Sequence, residues 1–224
     1  MSKAVFIGPS ILSADFSRLG DQIREAEAGG ADYFHVDVMD GQFVPPITFG
    51  VIAVKAIRPL TKLPIDVHFM VQAPERYLEE YAEAGADILT VHVESTIHLN
   101  RTLDAIRLLG RRAGAAINPA TPLSALEESL HQLDLINLLS VNPGYSGQQF
   151  IQASIGKIAR LRGMLDRDGY RTILEVDGGV NPDTASQVVG AGAEWVVAGS
   201  AVYNAKGAPA ANIAALRKAI AAAG

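Results

Sequence analysis

The chain has 224 residues, 49% hydrophobic and 19% charged, which suits a globular protein with a full core and leaves no apolar run long enough to span a bilayer. A formal net charge of -5 with no Lys/Arg-rich block argues against nucleic acid or an anionic membrane as partner, and the absence of cysteine excludes disulfides, thiolate ligands and cysteine nucleophiles. Any metal must therefore sit on histidine and carboxylate; "MSKAVFIGPS" has no signal-peptide core or cleavage site, so the expected compartment is the cytoplasm.

Short β-branched runs alternate with Ala/Leu/Glu/Arg segments of helical spacing. A first strand is expected in "AVFIGPS" at 4–10 and a second in "YFHVDVM" at 33–39, where His35, Asp37 and Met39 share one face. The third, "PIDVHFM" at 64–70, repeats that parity with His68 and Met70. His92 ends the fourth, "DILTVHVE" at 87–94; a lone histidine is more often a satisfied structural group than a ligand, so it is given a supporting role. "RAGAAIN" at 112–118 and "LINLLSVN" at 135–142 follow, and "VNPGYSGQQF" at 141–150 puts Gly144 and Gly147 on a loop able to close as a lid. In the segment 150–167, Ile151, Ile155, Ile158, Leu161 and Leu165 recur at near-helical spacing and read as core packing. The seventh strand, "TILEVDG" at 172–178, carries Asp177 at its end, and the eighth is "EWVVAGS" at 194–200.

Eight strands in 224 residues leave 28 per unit (224/8), enough for a strand, a loop and a two- to three-turn helix. "EAGGAD" at 27–32, "EAGAD" at 83–87 and "GAGAE" at 190–194 place glycines where helix C-caps lead into strands. The expected architecture is α/β, a single (β/α)8 TIM-barrel domain over 1–224; no G-x-G-x-x-G follows the first strand to favour a dinucleotide fold.

In such a barrel the strand C-termini form the active face. His35, Asp37, His68 and Asp177, from three strands, would converge there, a set that suits a divalent cation: imidazole favours Zn, Fe or Co, and carboxylates accept those and Mn. Each alone reads as a hydrogen-bonded structural group, but four set apart in one mouth would each cost roughly several kcal/mol without a partner. Met39 and Met70 are core residues by default and beside a metal would wall off water. Gly178 and Gly179 after the seventh strand, with Gly199 and Ser200 after the eighth, supply backbone amides where barrels commonly hold phosphate, although either pair alone reads as an ordinary turn.

Taken together, "PSILSADFSRLG", "HVDVMDGQFVPPITFG", "DVHFM", "HVES", "VNPGYSGQQF", "EVDGGV" and "AGSAVY" resemble the ribulose-phosphate 3-epimerase family over nearly the whole chain. The resemblance implies a barrel of the ribulose-phosphate-binding type with one divalent metal per subunit, zinc placed first and Fe, Mn or Co as alternatives. It implies interconversion of D-ribulose 5-phosphate and D-xylulose 5-phosphate in the pentose phosphate pathway, and a homo-oligomer, dimer or hexamer. It makes His35, Asp37, His68 and Asp177 the metal ligands, with Asp37 and Asp177 doubling as acid and base. Ser10, His68 and Asp177 touch substrate, while Gly144, Tyr145, Ser146, Gly147, Gly178, Gly179, Gly199 and Ser200 surround phosphate and sugar. The chain departs from the family pattern at Pro46, where Asn is common, at Tyr145 and Ser146, where Phe-Gly is common, and at Leu139, where a third Met stands near the metal.

A sister epimerase acting on a hexulose 6-phosphate such as D-allulose 6-phosphate would share these groups, and a silent binding barrel would not need them. A Schiff-base aldolase needs a lysine at a strand end, whereas Lys3, Lys55, Lys62, Lys157, Lys206 and Lys218 read as preceding strands or lying in helical segments. Asp66 and Glu175 share parity with the candidate residues; they are expected to bind groups lower in the barrel.

Overall fold

The computed structural model describes residues 4–222. Among them, eight parallel strands, β1 (Phe6–Pro9), β2 (Phe34–Met39), β3 (Ile65–Met70), β4 (Ile88–His92), β5 (Arg112–Ile117), β6 (Leu135–Leu139), β7 (Ile173–Asp177) and β8 (Trp195–Ala198), stand in the order β1-β8-β7-β6-β5-β4-β3-β2. The helices between them are α1 (Leu19–Ala28), α2 (Val51–Ile57), α3 (Leu78–Glu83), α4 (Leu99–Leu108), α5 (Ser124–Glu127), α6 (Ser154–Arg167), α7 (Ala185–Gly190) and α8 (Pro209–Ala221). Where β1 meets β2 the ladder shrinks to one parallel bridge, Ser10 to His35, and a bond from the Asp32 amide to the Ile7 carbonyl at 3.0 Å. This is the (β/α)8 barrel the alternation predicts.

Every expected strand window holds a strand, shorter at its ends because the chain turns away to build the mouth. At the end of the sixth window Ser140 still follows β7: its amide donates to the Asp177 carbonyl at 2.7 Å, and its hydroxyl to the carbonyls of Asp177 (2.9 Å) and Gly178 (2.6 Å). Helix α6 starts later than its hydrophobic spacing suggests. Ile151 lies ahead of it and donates its amide to the Ser140 carbonyl at 2.8 Å, Ile155 only packs against the core, and Ile158, Leu161 and Leu165 enter it. Lys3 lies outside the described residues.

The repeated glycine signatures close helices as Schellman motifs, with Gly30, Gly85 and Gly192 at φ 93°, 103° and 114°. In each, the residue after the glycine donates back into the last turn, as Ala86 does to the Tyr81 carbonyl at 3.1 Å. The acid that ends each signature then binds a strand amide: Asp32 accepts from Ile7 and Asp87 from Ile65, at 2.7 and 2.8 Å. Arg217 and Arg58 pair with these same carboxylates at 2.7 and 2.8 Å, so the short signature fastens helices to the foot of the barrel.

Outward-facing strand residues such as Val36, Val67, Leu89, Ile136 and Val176 are buried under the helices in one large core. Burial of each such side chain stabilises the fold by about 1.5–3 kcal/mol. Inside the barrel the filling is layered. Tyr33, Ile88, Leu135 and Trp195 plug the foot, and Tyr33 fits because a Cβ on Gly8 would fall within its ring. Above that plug the interior is polar: His35, Asp66, Thr90, Asn137 and Glu175 are all fully buried. Barrel interiors are usually filled by branched aliphatics, so this layer has another purpose.

Candidate active site

The four residues expected to meet do meet. His35 Nε2, Asp37 Oδ1, His68 Nδ1 and Asp177 Oδ2 lie within 4.8 Å of one another, from within β2 and β3 and from the last residue of β7. The histidine-to-carboxylate separations are 3.3 and 3.8 Å from His35 and 3.0 and 3.6 Å from His68, and His35 Nε2 lies 3.4 Å from His68 Nδ1. Four donors around a cation with bonds of about 2.0–2.2 Å would stand about 3.3–3.6 Å apart in a tetrahedron, so the set fits a divalent ion.

Each histidine is aimed by what holds its other nitrogen. His35 Nδ1 lies 2.8 Å from Asp66 Oδ2, in a bent approach, and Asp66 also accepts the Thr90 hydroxyl at 2.7 Å. Glu175 stands 3.9 Å from the same nitrogen and accepts the Tyr33 hydroxyl at 2.6 Å. His68 Nε2 meets His92 Nε2 at 2.9 Å, and His92 Nδ1 meets Glu94 Oε2 at 3.0 Å. Thus, of the two acids that parity alone left without partners, Asp66 lies against His35 and Glu175 is bonded to Tyr33. His92 sits behind His68 rather than in the donor set, with Phe43 against its ring at 4.8 Å between centroids. Glu94 was not anticipated from the sequence; the signal was its place two residues after His92 on a strand that has just ended.

The two aspartates have opposite leanings. Burial would raise the Asp37 acid, but the adjoining His35 and His68 hold it well below the usual carboxylate range. Burial and the facing Asp37 carboxylate push Asp177 up to about 6. Burial opposes a charge on His35 as well, yet Asp37 and Asp66 raise it well above an ordinary histidine. Burial pulls His92 down to about 4, while Glu94, bonded to it, falls to about 2 despite its own burial. The centre is a concentration of negative charge that calls for positive charge, either as protons or as a cation.

Ser10, 5% exposed, donates to Asp37 Oδ2 at 2.5 Å and lines the cavity of about 760 Å³ that opens over Asp37 and Asp177, with His35 and His68 fully buried behind them. Met39, Met70 and Leu139 form part of its wall, as do Gly144, Tyr145, Ser146, Gly147, Gly178, Gly179, Gly199 and Ser200. Carbonyls that would repel an anion are tied elsewhere: that of Gly179 accepts from Thr184 at 3.0 Å, and those of Ser200 and Ala201 from Asn204 at 2.9 and 3.2 Å. The "AGSAVY" stretch forms one helical turn, with Val202 and Tyr203 both donating to the Gly199 carbonyl. Lys206 corrects the expectation from sequence: it lies in the loop between β8 and α8 and lines this cavity, in neither a helix nor a run preceding a strand.

The loop after β6 crosses the mouth. Ser146 Oγ is 2.6 Å from Ser13 Oγ beyond β1, and a Cβ on Gly144 would touch Val44 beyond β2. Gln148 pins the loop on itself by donating to the carbonyls of Asn142 and Tyr145, at 2.5 and 3.0 Å.

Residues 6–203 match the family model described as "Ribulose-phosphate 3 epimerase family". A ribulose-phosphate 3-epimerase of Synechocystis sp. is 56% identical over 207 residues, covering 92% of this chain and 90% of that one. One of Bacillus subtilis is 52% identical, covering 88% and 91%. The chloroplastic ribulose-5-phosphate-3-epimerase of Arabidopsis thaliana is also 52% identical, covering 90% and 73%. Among solved structures, 3-hexulose-6-phosphate synthase from Salmonella typhimurium superposes with a TM-score of 0.74 at 15% identity, covering 98% of this chain and all of that one. KGPDC from Streptococcus mutans gives 0.73 at 17%, covering 98% and 99%; both share the fold.

Proposed function

Because this chain belongs to the ribulose-phosphate 3-epimerase family, we propose that it interconverts D-ribulose 5-phosphate and D-xylulose 5-phosphate, in the pentose phosphate pathway, by two-base proton transfer at C3. The observation that carries this reading is the pair Asp37 and Asp177, from β2 and β7, at one cavity with opposite protonation leanings. Inverting C3 requires a base on one face of the sugar and an acid on the other. Asp37, held ionised, takes the C3 proton of D-ribulose 5-phosphate. Asp177, its acid pushed up to about 6 by burial and the Asp37 carboxylate, returns one on the opposite face, and the roles exchange in reverse. Ser10 fixes the base by bonding Asp37 Oδ2.

His35, Asp37, His68 and Asp177 would hold one divalent cation per subunit, zinc first and Fe, Mn or Co as alternatives. When bound, that ion supplies Lewis-acid stabilisation to the enediolate charge on the sugar oxygens. The glycine turns at 178–179 and 199–200 and Lys206 receive the phosphate, and the loop 141–150 excludes water. A homo-oligomer, dimer or hexamer, is supported by large apolar side chains left at the surface, among them Phe16, Ile47 and Ile52 at 47%, 78% and 73% exposed. A cytoplasmic place with neither membrane nor nucleic-acid partner is supported by the absence, among the described residues, of a helix able to cross a membrane and by the net charge of -5. Rates on pentulose and hexulose phosphates at equal metal loading test the substrate; preference for D-allulose 6-phosphate would replace it with the sister reaction.

A further inference from the structure

A second cavity, of about 590 Å³, shares no lining residue with the one over Asp37 and Asp177 and lies between the loop after β5 and one face of α6. Lys157, Arg160, Met164 and Arg167 recur at helical spacing along that face, opposite Pro119, Thr121 and Leu123. Lys157 is only 6% exposed, yet its Nζ donates to two carbonyls, Asn118 at 2.7 Å and Pro119 at 3.2 Å, and to no carboxylate. Arg160 makes neither a hydrogen bond nor an ion pair with a carboxylate among the described residues. Burial, with Arg160 adding to it against the pull of Glu94, brings the Lys157 ammonium down to about 8.

Two of the carboxylates nearby, Asp168 and Glu94, are already bonded. Arg167 forks onto Asp168 with two contacts of 2.8 Å, Glu127 on the rim faces Arg167, and Glu94 is bonded to His92, the Asn118 amide and Thr121. Lys157 and Arg160 thus line one cavity with neither in an ion pair with a carboxylate, and the one carboxylate on its rim is Glu127. Gly163, inside α6, lines the same wall, and a Cβ there would meet nothing within 4 Å. A glycine at a helix interior costs about 1 kcal/mol against alanine, and no packing demands it here; its effect is to keep the wall low.

We propose that this cavity is a second anion site, taking the phosphate group of a small phosphorylated metabolite between Lys157 and Arg160. Lys157 is preorganised for it. Its carbonyl partner Asn118 is fixed through the amide to Glu94 at 2.9 Å, so the ammonium does not have to be ordered on binding. The remaining wall, Pro119, Leu123 and Met164, is apolar and suits a small organic body.

Calorimetric titration with inorganic phosphate tests this on wild type, Arg160→Ser and Gly163→Leu. Wild type should bind one phosphate more per chain than either variant, or bind it at least about tenfold more tightly, as expected for loss of a charge-assisted contact or of the space itself. Turnover should be unchanged in both. The comparison is a difference between proteins, so it stands whether or not phosphate binds at the mouth and whether or not the chain epimerises pentulose phosphates. Retention of the extra phosphate by either variant overturns the proposal, as does an isotherm common to all three.

Discussion

Replacing Asp66 by Ala removes the carboxylate that lies 2.8 Å from His35 Nδ1 and accepts the Thr90 hydroxyl at 2.7 Å, in a layer where all three residues are fully buried. Breaking one partner out of a buried pair costs about 3–5 kcal/mol. The lower end, about 3 kcal/mol, applies here, because Asp66 also raises the neighbouring Glu175 and its loss relieves that repulsion. His35 would lose the group that keeps its Nε2 turned to the four-donor set, so cation affinity should fall about 10–100-fold. Thr90→Val, which removes only the hydroxyl contact, should cost about 1 kcal/mol and leave affinity nearly unchanged. Urea unfolding in chelator measures the first quantity and competition with a chromophoric chelator the second, with Asp66→Asn as the milder variant if Asp66→Ala does not fold. Wild-type cation affinity in a folded Asp66 variant would refute the reasoning that aims His35 from below.

Asp177→Asn should abolish epimerisation and, in chelator, make the protein more stable above pH 6. A carboxylate raised from 3.8 to about 6 in the folded state binds more protons folded than unfolded. It therefore lowers stability as pH climbs through that window, by up to about 3 kcal/mol above it, and Asn removes that loss while gaining nothing at pH 4. Thermal melts at pH 4 and pH 8 decide it, and a variant less stable than wild type at pH 8 would show the sign to be wrong. Gly8→Ala drives a methyl into the Tyr33 ring and should cost about 1–3 kcal/mol or more, read as a lower Tm, with an unaltered Tm counting against the packing of the barrel foot. Ser146→Gly removes the bond to Ser13, worth about 1 kcal/mol, and should raise KM up to about fivefold; an unchanged KM would mean that this bond does not hold the loop closed over substrate.

The barrel was legible because its evidence is local and periodic: β-branched runs at even spacing, and glycines at Gly30, Gly85 and Gly192 that only a helix end followed by a strand requires. Parity placed His35 and Asp37 on one face for the same reason. What parity cannot supply is the partner across the barrel. Asp66 and Glu175 were visible as inward acids, but that one faces His35 and the other Tyr33 depends on strand register and on the room Gly8 leaves. The Ser13 to Ser146 contact spans 133 positions and joins two loops, beyond any periodic signal. Lys206 was misplaced because a lysine after the last strand looks like the start of the final helix, which in fact begins at Pro209.

The central claim is that Asp37 and Asp177 exchange the C3 proton of a pentulose phosphate at a four-donor cation centre. The most direct measurement is proton NMR of D-ribulose 5-phosphate incubated with the protein in deuterium oxide, with and without chelator and with a divalent ion restored. The account predicts D-xylulose 5-phosphate carrying deuterium at C3, lost on chelation and recovered with the ion. Unlabelled, unchanged D-ribulose 5-phosphate from the ion-loaded protein would contradict it.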